Sequence, residues 1–429
     1  MKGLSDDFKA SVAVSRQWDG KRVGQELVDK IRDDDVDPDF ILLFSTIHYE
    51  GEFQKFLDIL KDEFPDAPLV GGTVAGFMSQ EGCYTRGVSA MVVEYENMDV
   101  AVGFGKKVRS NPEKAAQKCA EKIKEGLGDS KYENSFIVDF LSSGLVPQFP
   151  GLGRRIVIKS NLLSKITSIL LKVSETFFQT GVGKQDDILK ELSKNLEGYK
   201  ILSGSTTDDV SQLKNFQFKN REVLKSSVVA LGIKTDLNFD VKTTHGLEKT
   251  GSSFNVTKMS HGDRIISELD SKPALPEFLE SIGVDERDLD EELYSKIFWF
   301  PIGLERPKKE GGMIPVVTPT ILGNSFLVVF KVPESEISLL TASGNGLLEA
   351  VEKNLDSFDT VEPKIGLASS CGMRLLALGK NIYQVQRKLE DYFEDSPFLL
   401  YYVAGEGAYS PGKNLKYGNY TFNSAIFWE

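Results

Sequence analysis

The chain has 429 residues, a net charge of −12 and an ordinary composition, with 41% apolar and 27% charged residues. That length exceeds the roughly 250–300 residues at which one hydrophobic core stops growing, so we expect two domains or three. The acidic balance argues against a nucleic-acid-binding protein, because such a protein needs a basic face.

Cysteine usage and hydropathy predict where the protein works. The three cysteines lie far apart and form no CxxC pair, which argues against a disulfide framework or a zinc cluster. The amino-terminal residues lack the apolar region of a signal peptide, and the longest apolar runs are too short to span a bilayer. We therefore expect a cytoplasmic protein without a transmembrane segment.

Strands and helices alternate along the first hundred residues. Val23, Leu27 and Ile31 mark one face of a predicted helix over 20–34, and helical spacing returns over 51–64. Short links between the last three strands favour antiparallel neighbours. The predicted strands are 10–15, 37–47, 68–78, 87–96 and 98–108.

The same order of elements recurs in the next part of the chain. A helix over 111–128 opens with Asn before Pro and closes with Gly, and a strand follows at 134–143. The stretch YKILSGSTTDD at 199–209 then corresponds to PLVGGTVAGFM at 68–78, which we interpret as an internal duplication. A third, looser copy runs from PKIGLASSCG at 363–372 through a helix around 380–393 to YGNYTFNSAIFW at 417–428.

These patterns predict an α+β fold. Duplicated strand-helix-strand-strand-strand units should form mixed, largely antiparallel sheets with helices on their outer faces. In each copy a strand ends in small residues, which let a ligand approach the backbone closely. The alternative is that the glycines serve bulges or tight turns. The small residues of the first two copies are Gly71, Gly72, Thr73, Ser203, Ser205 and Thr206.

One segment, about 151–184, interrupts the second copy. It contains a predicted amphipathic helix whose apolar face includes Leu162, Ile166 and Phe177. Residues 145–184 carry six basic side chains and one acidic one. Such a helix either packs on the core with a solvated basic side, or covers a pocket, docks a partner or touches an anionic surface.

Motifs for common chemistry are missing from the sequence. Walker A and dinucleotide-binding patterns fail at the required glycines, and the three scattered histidines form no metal-binding spacing. We expect no cofactor and no metal. Cys371 follows an apolar strand and lies three residues before Arg374, whose charge would lower the pKa of a thiol. A thiol nucleophile needs a base, however, and a buried cysteine more often serves as a small hydrophobe.

Three carboxyl-terminal motifs carry a resemblance to a known family. LASSCGMRLLALG at 367–379, YYVAGEGAYSPG at 401–412 and YGNYTFNSAIFW at 417–428, together with FILLFST and PLVGGTVAGF upstream, resemble the FIST family. The resemblance implies an amino-terminal FIST domain over 1–245 and a carboxyl-terminal FIST domain over 246–429. It also implies a non-catalytic sensor that binds a small metabolite, with amino acids as candidates, and signals through a separate protein partner.

An amino-acid ligand needs partners for its two charges. Arg374 suits the carboxylate and Glu406 suits the ammonium, while Asn419 and Thr421 offer neutral hydrogen bonds. The alternative for Arg374 and Glu406 is that they pair with each other and hold two strands together. Two other functions stay open: a Cys371-dependent hydrolase or transferase, and a scaffold that acts through the inserted helix.

Overall fold

The computed structural model describes most of the chain. The described residues are 8–146, 148–149, 153–209, 211–297, 299–305, 313–317, 320–332, 335–358 and 360–429. The predicted insertion therefore falls partly outside them. Among the described residues, no helix combines the length and the apolar character that crossing a bilayer requires.

The first part of the chain forms six strands and two helices. Asp19 caps α1 by accepting hydrogen bonds from the amides of Lys21 and Arg22. The bounds are β1 Lys9–Ser15, α1 Gly20–Asp33, β2 Phe40–Thr46, α2 Phe53–Glu63, β3 Leu69–Val74, β4 Gly76–Ser79, β5 Gly82–Tyr84 and β6 Val88–Glu94.

The second part repeats this order around an insertion. Pro112 lies in the first turn of α3, and Ser160 caps α4 through the amide of Leu163. The bounds are β7 Met98–Lys106, α3 Pro112–Leu127, β8 Asn134–Ser142, β9 Gln148–Phe149, β10 Gly153–Arg154, β11 Val157–Ile158, α4 Asn161–Val173, α5 Gln185–Asn195, β12 Lys200–Thr206, β13 Gln217–Lys219, β14 Glu222–Leu224 and β15 Ser227–Thr235. A π-helical turn, Ser174–Phe178, continues α4.

The third part repeats the order again around a second, longer insertion. The bounds of the inserted elements are β17 Leu247–Ser260, β18 Ile265–Leu269, β19 Lys272–Pro273, α6 Ala274–Ser281, α7 Glu291–Ile297, β20 Ile302–Leu304, β21 Ile314–Val316, β22 Thr320–Leu322, β23 Ser325–Leu327 and β24 Glu336–Ala342. The other elements are β16 Asn238–Thr244, α8 Gly344–Asp356, β25 Ile365–Cys371, α9 Gly372–Leu378, α10 Ile382–Phe393, β26 Phe398–Val403, β27 Glu406–Tyr409, β28 Lys416–Gly418 and β29 Phe422–Trp428.

Three six-stranded sheets in the described chain follow one plan. Their strand orders are β1-β6-β2-β3-β13-β14, β7-β15-β8-β12-β27-β28 and β16-β29-β25-β26-β4-β5. Each sheet contains one parallel pair, β2 with β3, β8 with β12, and β25 with β26, and its other pairs are antiparallel. The predicted α+β class with mixed, largely antiparallel sheets is confirmed.

The outer hairpin of each sheet comes from another part of the chain. Hairpin β13–β14 extends the first sheet through β3, hairpin β27–β28 extends the second through β12, and hairpin β4–β5 extends the third through β26. Two of these pairings join residues on opposite sides of position 245. The predicted division of the chain there stays a prediction, and strand pairing crosses it in both directions.

The inner faces of the three sheets pack on one another. Phe44, Phe140 and Tyr401 come from different sheets, and their ring centroids lie 4.6–6.1 Å apart. Helices cover the outer faces: α1 and α2 on the first sheet, α3 and α5 on the second, and α8 and α10 on the third. The expected position of the helices is therefore confirmed.

The two insertions join in one additional lobe. Strand β11 of the first insertion pairs in parallel with β22 of the second, at the edge of a nine-stranded sheet. Helix α4 packs against this edge through Thr167 and Leu171, which are 3% and 5% exposed. Its apolar face points outward, because Leu162, Ile169 and Phe177 are 69%, 68% and 77% exposed. The alternative that the helix packs on the core with only its basic side in solvent is therefore wrong.

Glycine in β3 is required by strand packing. A Cβ at Gly71 would collide with the carbonyl oxygen of Leu43 on the neighbouring strand. We expect Gly71→Ala to destabilise the protein by about 3 kcal/mol or more, because main-chain atoms cannot move aside as a side chain can. Urea denaturation measures the change. Gly51→Ala is the control, since a Cβ at Gly51 meets no atom within 4 Å, and equal stability of both variants would contradict this packing.

Candidate functional site

A cavity of about 460 Å³ lies where the third part of the chain meets its insertion. We call it the Glu406 cavity. Its wall comes from the turn between β16 and β17, from α8, from β21 and from hairpin β27–β28. Its volume suits a small metabolite, since ligand cavities commonly measure about 300–1,000 Å³.

Glu406 is the buried acid of this cavity, with no exposed surface. Its Oε2 accepts hydrogen bonds from the amide of Thr421 at 3.3 Å and from the hydroxyl of Thr421 at 2.8 Å. Its Oε1 has no hydrogen-bond partner among the described residues. Burial raises the pKa of Glu406 to about 8, against the opposing effect of these hydrogen bonds. The carboxyl group is therefore mainly protonated at neutral pH.

A chain of polar groups continues from Glu406 into the core. Asn423 donates to the hydroxyl of Thr421 at 3.3 Å and to that of Ser369 at 3.4 Å, and Ser369 donates to the carbonyl of Ser203 at 3.3 Å. Ser203 in turn donates to Asp139 at 2.6 Å. Burial raises the pKa of Asp139 to about 7. The chain thus connects two buried carboxyl groups of the second sheet, Glu406 on β27 and Asp139 on β8.

Basic residues balance the carboxyl groups around the Glu406 cavity. Lys353 on α8 is exposed, and Lys416 on β28 is half-buried, with burial lowering its pKa. His245 accepts a hydrogen bond at Nδ1 from the amide of Leu247, so its proton resides on Nε2. Burial, followed by the charges of Arg374 and Lys416, lowers the pKa of His245. The cavity thus presents two lysines and a neutral imidazole.

Arg374 lies behind the cavity wall. Its guanidinium donates to the main-chain carbonyls of His245 at 3.0 Å, Tyr420 at 3.2 Å and Leu347 at 2.6 Å. No ion pair with Glu406 occurs in the described part of the chain. Burial lowers the pKa of Arg374 to about 10. Its contacts thus fix the turn that carries His245, and direct ligand binding by Arg374 stays a prediction.

Cys371 lies beside Glu406 at the end of β25. The thiol is 2% exposed, and it lies close enough to Glu406 for the two groups to shift each other's pKa. Burial, followed by the charge of Glu406, raises the pKa of Cys371 well above its ordinary value. The group is therefore a protonated thiol, which is a poor nucleophile.

Of the other predicted residues, some lie at the Glu406 cavity and some lie between strands of the second sheet. Thr421 lines the Glu406 cavity, while Asn419 lies beside it and accepts from the amide of Val317 at 3.1 Å. Ser205 shares a 2.6 Å hydrogen bond with the hydroxyl of Tyr417, and Thr206 donates to the carbonyl of Leu141 at 2.9 Å. These contacts hold hairpin β27–β28 and β8 against β12.

Gly71, Gly72 and Thr73 lie inside the first sheet. A Cβ at Gly72 would collide with Thr206, and Thr73 accepts at its hydroxyl from the amide of Phe216 at 3.0 Å. None of the three lines the Glu406 cavity. Ligand binding by these residues stays a prediction.

Sequence reasoning missed several residues of the Glu406 cavity, among them Thr243, His245 and Lys353. They lie more than 50 residues from Glu406 in sequence, so no local motif joins them. The glycine at position 246 was the one local signal in the sequence. The structure requires glycine there, because φ is +70° and a Cβ would collide with the carbonyl of Gly346. That close approach of the turn to α8 forms one wall of the cavity.

Comparison with known proteins assigns the family. A family model described as the FIST N domain matches residues 39–272, which is more than half of the chain. The chain belongs to the FIST family. The match ends at 272, so the predicted carboxyl-terminal FIST domain stays a prediction.

One sequence relative and one solved structure complete the comparison. An uncharacterized protein of Methanocaldococcus jannaschii is 24% identical over 265 residues, which cover 62% of this chain and 44% of that protein. The chain thus spans less than half of that relative's length. A crystal structure of a cyanuric acid hydrolase from A. caulinodans aligns over 97% of this chain and 99% of its own, with a TM-score of 0.35 and 9% identity. A score that low transfers neither fold nor activity.

The raised pKa of Glu406 predicts a pH dependence of folding stability. The folded state holds the proton up to about pH 8, whereas the unfolded state releases it near the ordinary glutamate pKa of 4.5. The free energy of unfolding should therefore fall between pH 5 and pH 8, by an amount on the order of a few kcal/mol. Urea denaturation at several pH values measures the difference between the wild type and Glu406→Gln, which does not titrate.

The control for this measurement is Glu349→Gln, which removes an exposed carboxylate from the same cavity. A difference between the wild type and Glu406→Gln that stays constant from pH 5 to pH 8 would show that Glu406 ionises normally. Asp139 also has a raised pKa, but it is present in both the wild type and Glu406→Gln. Its contribution to the pH dependence of stability therefore cancels when the two are compared.

Proposed function

We propose that the protein is a non-catalytic sensor that binds a free amino acid in the Glu406 cavity and signals through a separate protein. The observation that carries the proposal is the partnerless Oε1 of Glu406 in the wall of a 460 Å³ cavity. A buried oxygen without a partner costs free energy, and a ligand that donates to it recovers that cost. Membership of the FIST family supports sensing of a small ligand.

The polar groups of the cavity suit a zwitterion. Lys353 and Lys416 supply positive charge for a carboxylate, while Glu406 and the partnerless hydroxyl of Thr243 accept from an ammonium. An ammonium at Oε1 favours the ionised form of Glu406, so binding releases a proton. The affinity should therefore rise as the pH approaches 8.

A thermal-shift panel of the twenty amino acids tests this proposal. A ligand at one hundred times its Kd adds about 2.7 kcal/mol of stability, which is readily measured. We expect Lys353→Gln to weaken binding about tenfold, because it removes one charged contact. Glu406→Gln should abolish the rise in affinity between pH 6 and pH 8.

The matched control for Lys353→Gln is Lys380→Gln, which removes an exposed lysine outside the cavity. Equal affinities of these two variants would place the ligand elsewhere. A panel in which no amino acid stabilises the wild type would refute the amino-acid proposal.

The alternative of a thiol enzyme has weaker support. The burial and raised pKa of Cys371 oppose nucleophilic attack, and its nearest ionisable neighbour is an acid that is itself protonated. A mild electrophile that labelled Cys371 faster than Cys83, which is only partly buried, would restore this alternative.

A specific observation favours the inserted helix as the output surface. Large apolar side chains of α4 and the turn after it are 40–77% exposed, and Lys165 and Lys172 lie along one flank. Apolar patches of this kind usually mark interaction sites. The flanking lysines complement a protein groove that is apolar in its centre and acidic at its edge. The exposed residues are Leu162, Leu163, Ile166, Ile169, Leu170, Val173, Phe177 and Phe178.

Two substitutions test which side of the helix is free. Ile169→Asp should change the free energy of unfolding by no more than about 0.5 kcal/mol, because Ile169 is 68% exposed. Leu171→Asp should cost about 3 kcal/mol or more, because Leu171 is 5% exposed. Urea denaturation distinguishes them. The reverse order would mean that the apolar face is the packed one. If Ile169→Asp is as stable as expected, it is the variant to use in partner-binding assays.

A further inference from the structure

A second cavity, of about 490 Å³, lies beside the carboxyl end of α4. It shares no lining residue with the Glu406 cavity. We call it the Arg109 cavity. Five permanent cations and three carboxylates line it, which gives a net charge of +2 in a protein whose total charge is −12. The cations are Arg109, Lys172, Lys184, Arg264 and Lys331, and His261 lies beside them.

Most of these charges are already neutralised. Glu175 is paired with His261 at 3.1 Å and with Lys184 at 3.2 Å. Arg264 contacts Asp186 at 2.6 Å and Asp187 at 3.1 Å, and Lys331 contacts Asp187 at 2.6 Å. These pairs form a rigid polar wall. Arg109 and Lys172 have no ion pair with a described residue, so their charges remain for a ligand.

Arg109 is the decisive residue of this cavity. It is 2% exposed, and its terminal nitrogens donate only to carbonyls, those of Gln179 at 2.9 Å and Ser143 at 2.6 Å. Its Nε has no partner among the described residues. Glu175 attracts Arg109 electrostatically but is in ion-pair contact with Lys184 and His261 instead. A buried cation without a counter-charge in direct contact is costly, and an anion beside it reduces that cost.

A helix terminus adds to the positive field. Helix α3 begins at the cavity with Ser110, Pro112 and Glu113 in the wall, and no side chain caps it. The free amides and the positive end of the helix dipole of such a terminus attract oxyanions. Glu113, Glu175 and Asp187 oppose a bare negative charge, so the anion must be held by Arg109 and Lys172.

We propose that the Arg109 cavity binds a small molecule through a phosphate group. A phosphate offers several oxygens to a guanidinium, an ammonium and helix amides at once, and its double charge matches the net charge of the lining. The volume exceeds that of the anion alone, so the cavity has room for an attached organic part. This site is independent of the proposed amino-acid site.

The position of the site gives it a consequence for α4. Lys172, Glu175 and Thr176 belong to α4 and the turn that continues it, whereas Arg109 and Ser110 precede α3. A bound phosphate therefore links the outward-facing apolar helix to the second sheet. The ligand would stabilise the surface that we propose as the output of the sensor.

Titration of the intact protein with inorganic phosphate, at constant ionic strength in sodium chloride, tests the site. We expect a saturable rise of the thermal midpoint in the wild type. Lys172→Gln should weaken the apparent affinity about tenfold. Lys165→Gln is the matched control, because Lys165 is exposed two turns earlier on the same helix and does not line the cavity. It should behave as the wild type does.

Further variants separate this site from the first one. Glu406→Gln should leave the phosphate response unchanged, and a response lost in Glu406→Gln would place phosphate in the other cavity and overturn the proposal. Equal losses of phosphate affinity in Lys172→Gln and Lys165→Gln would show general screening of charge and would overturn the proposal. A thermal midpoint that chloride raises as much as phosphate does would overturn it too. Arg109→Lys, which keeps the charge but loses the planar fork, should weaken binding in a folded protein.

Two probes identify the source of the phosphate. Glycerol 3-phosphate, compared with glycerol, represents soluble monoesters, and vesicles of phosphatidic acid in phosphatidylcholine represent lipid headgroups. Binding of glycerol 3-phosphate that depends on Lys172 assigns a soluble ligand. Vesicle binding that depends on both Lys172 and Ile169 assigns a lipid. A response to neither, together with none to inorganic phosphate, would refute the site.

Discussion

The exchange of hairpins among three sheets is the constraint on which the rest of the structure depends. Each hairpin extends a sheet whose other strands come from a different part of the chain. Every one of the three sheets therefore depends on strands from two parts of the chain. Unpaired sheet edges expose main-chain donors and acceptors, and the exchange pairs them internally. It also fixes the site, because hairpin β27–β28 pairs with β12 and thereby places Glu406 at the junction of the second and third sheets.

That junction explains why a carboxyl group stays buried without its full set of partners. Thr421 satisfies one oxygen of Glu406, and protonation instead of a counter-ion reduces the cost of desolvation. Arg374, the obvious counter-ion, is committed to three carbonyls. Its role is to hold the turn that bounds the cavity. A ligand bound there as we propose would change the protonation state of Glu406.

Local patterns in the sequence predicted the elements well, and long-range pairing lay beyond them. The spacing of Val23, Leu27 and Ile31 gave the buried face of α1 correctly, since all three are fully buried. The sequence predicted Glu406 as a ligand-binding acid, but His245 and Lys353 come to line its cavity only through the turn at Gly246 and the position of α8. Periodicity also showed that α4 has an apolar face. It could not show which face is covered, because that depends on β22, more than 140 residues away.

The outward face of α4 stays free because the opposite side of the helix, through the buried Leu171, and polar contacts near its two ends hold the helix in place. Strand β11 anchors its beginning to β22, and the buried Glu175, paired with His261 and Lys184, anchors its end. Neither anchor uses the exposed apolar side chains of α4. A helix fixed in this way keeps its apolar stripe available for a partner while the protein remains folded. The polar anchors also make its position sensitive to the charge of a ligand bound beneath it, since an anion at Lys172 acts on the same turn that Glu175 holds.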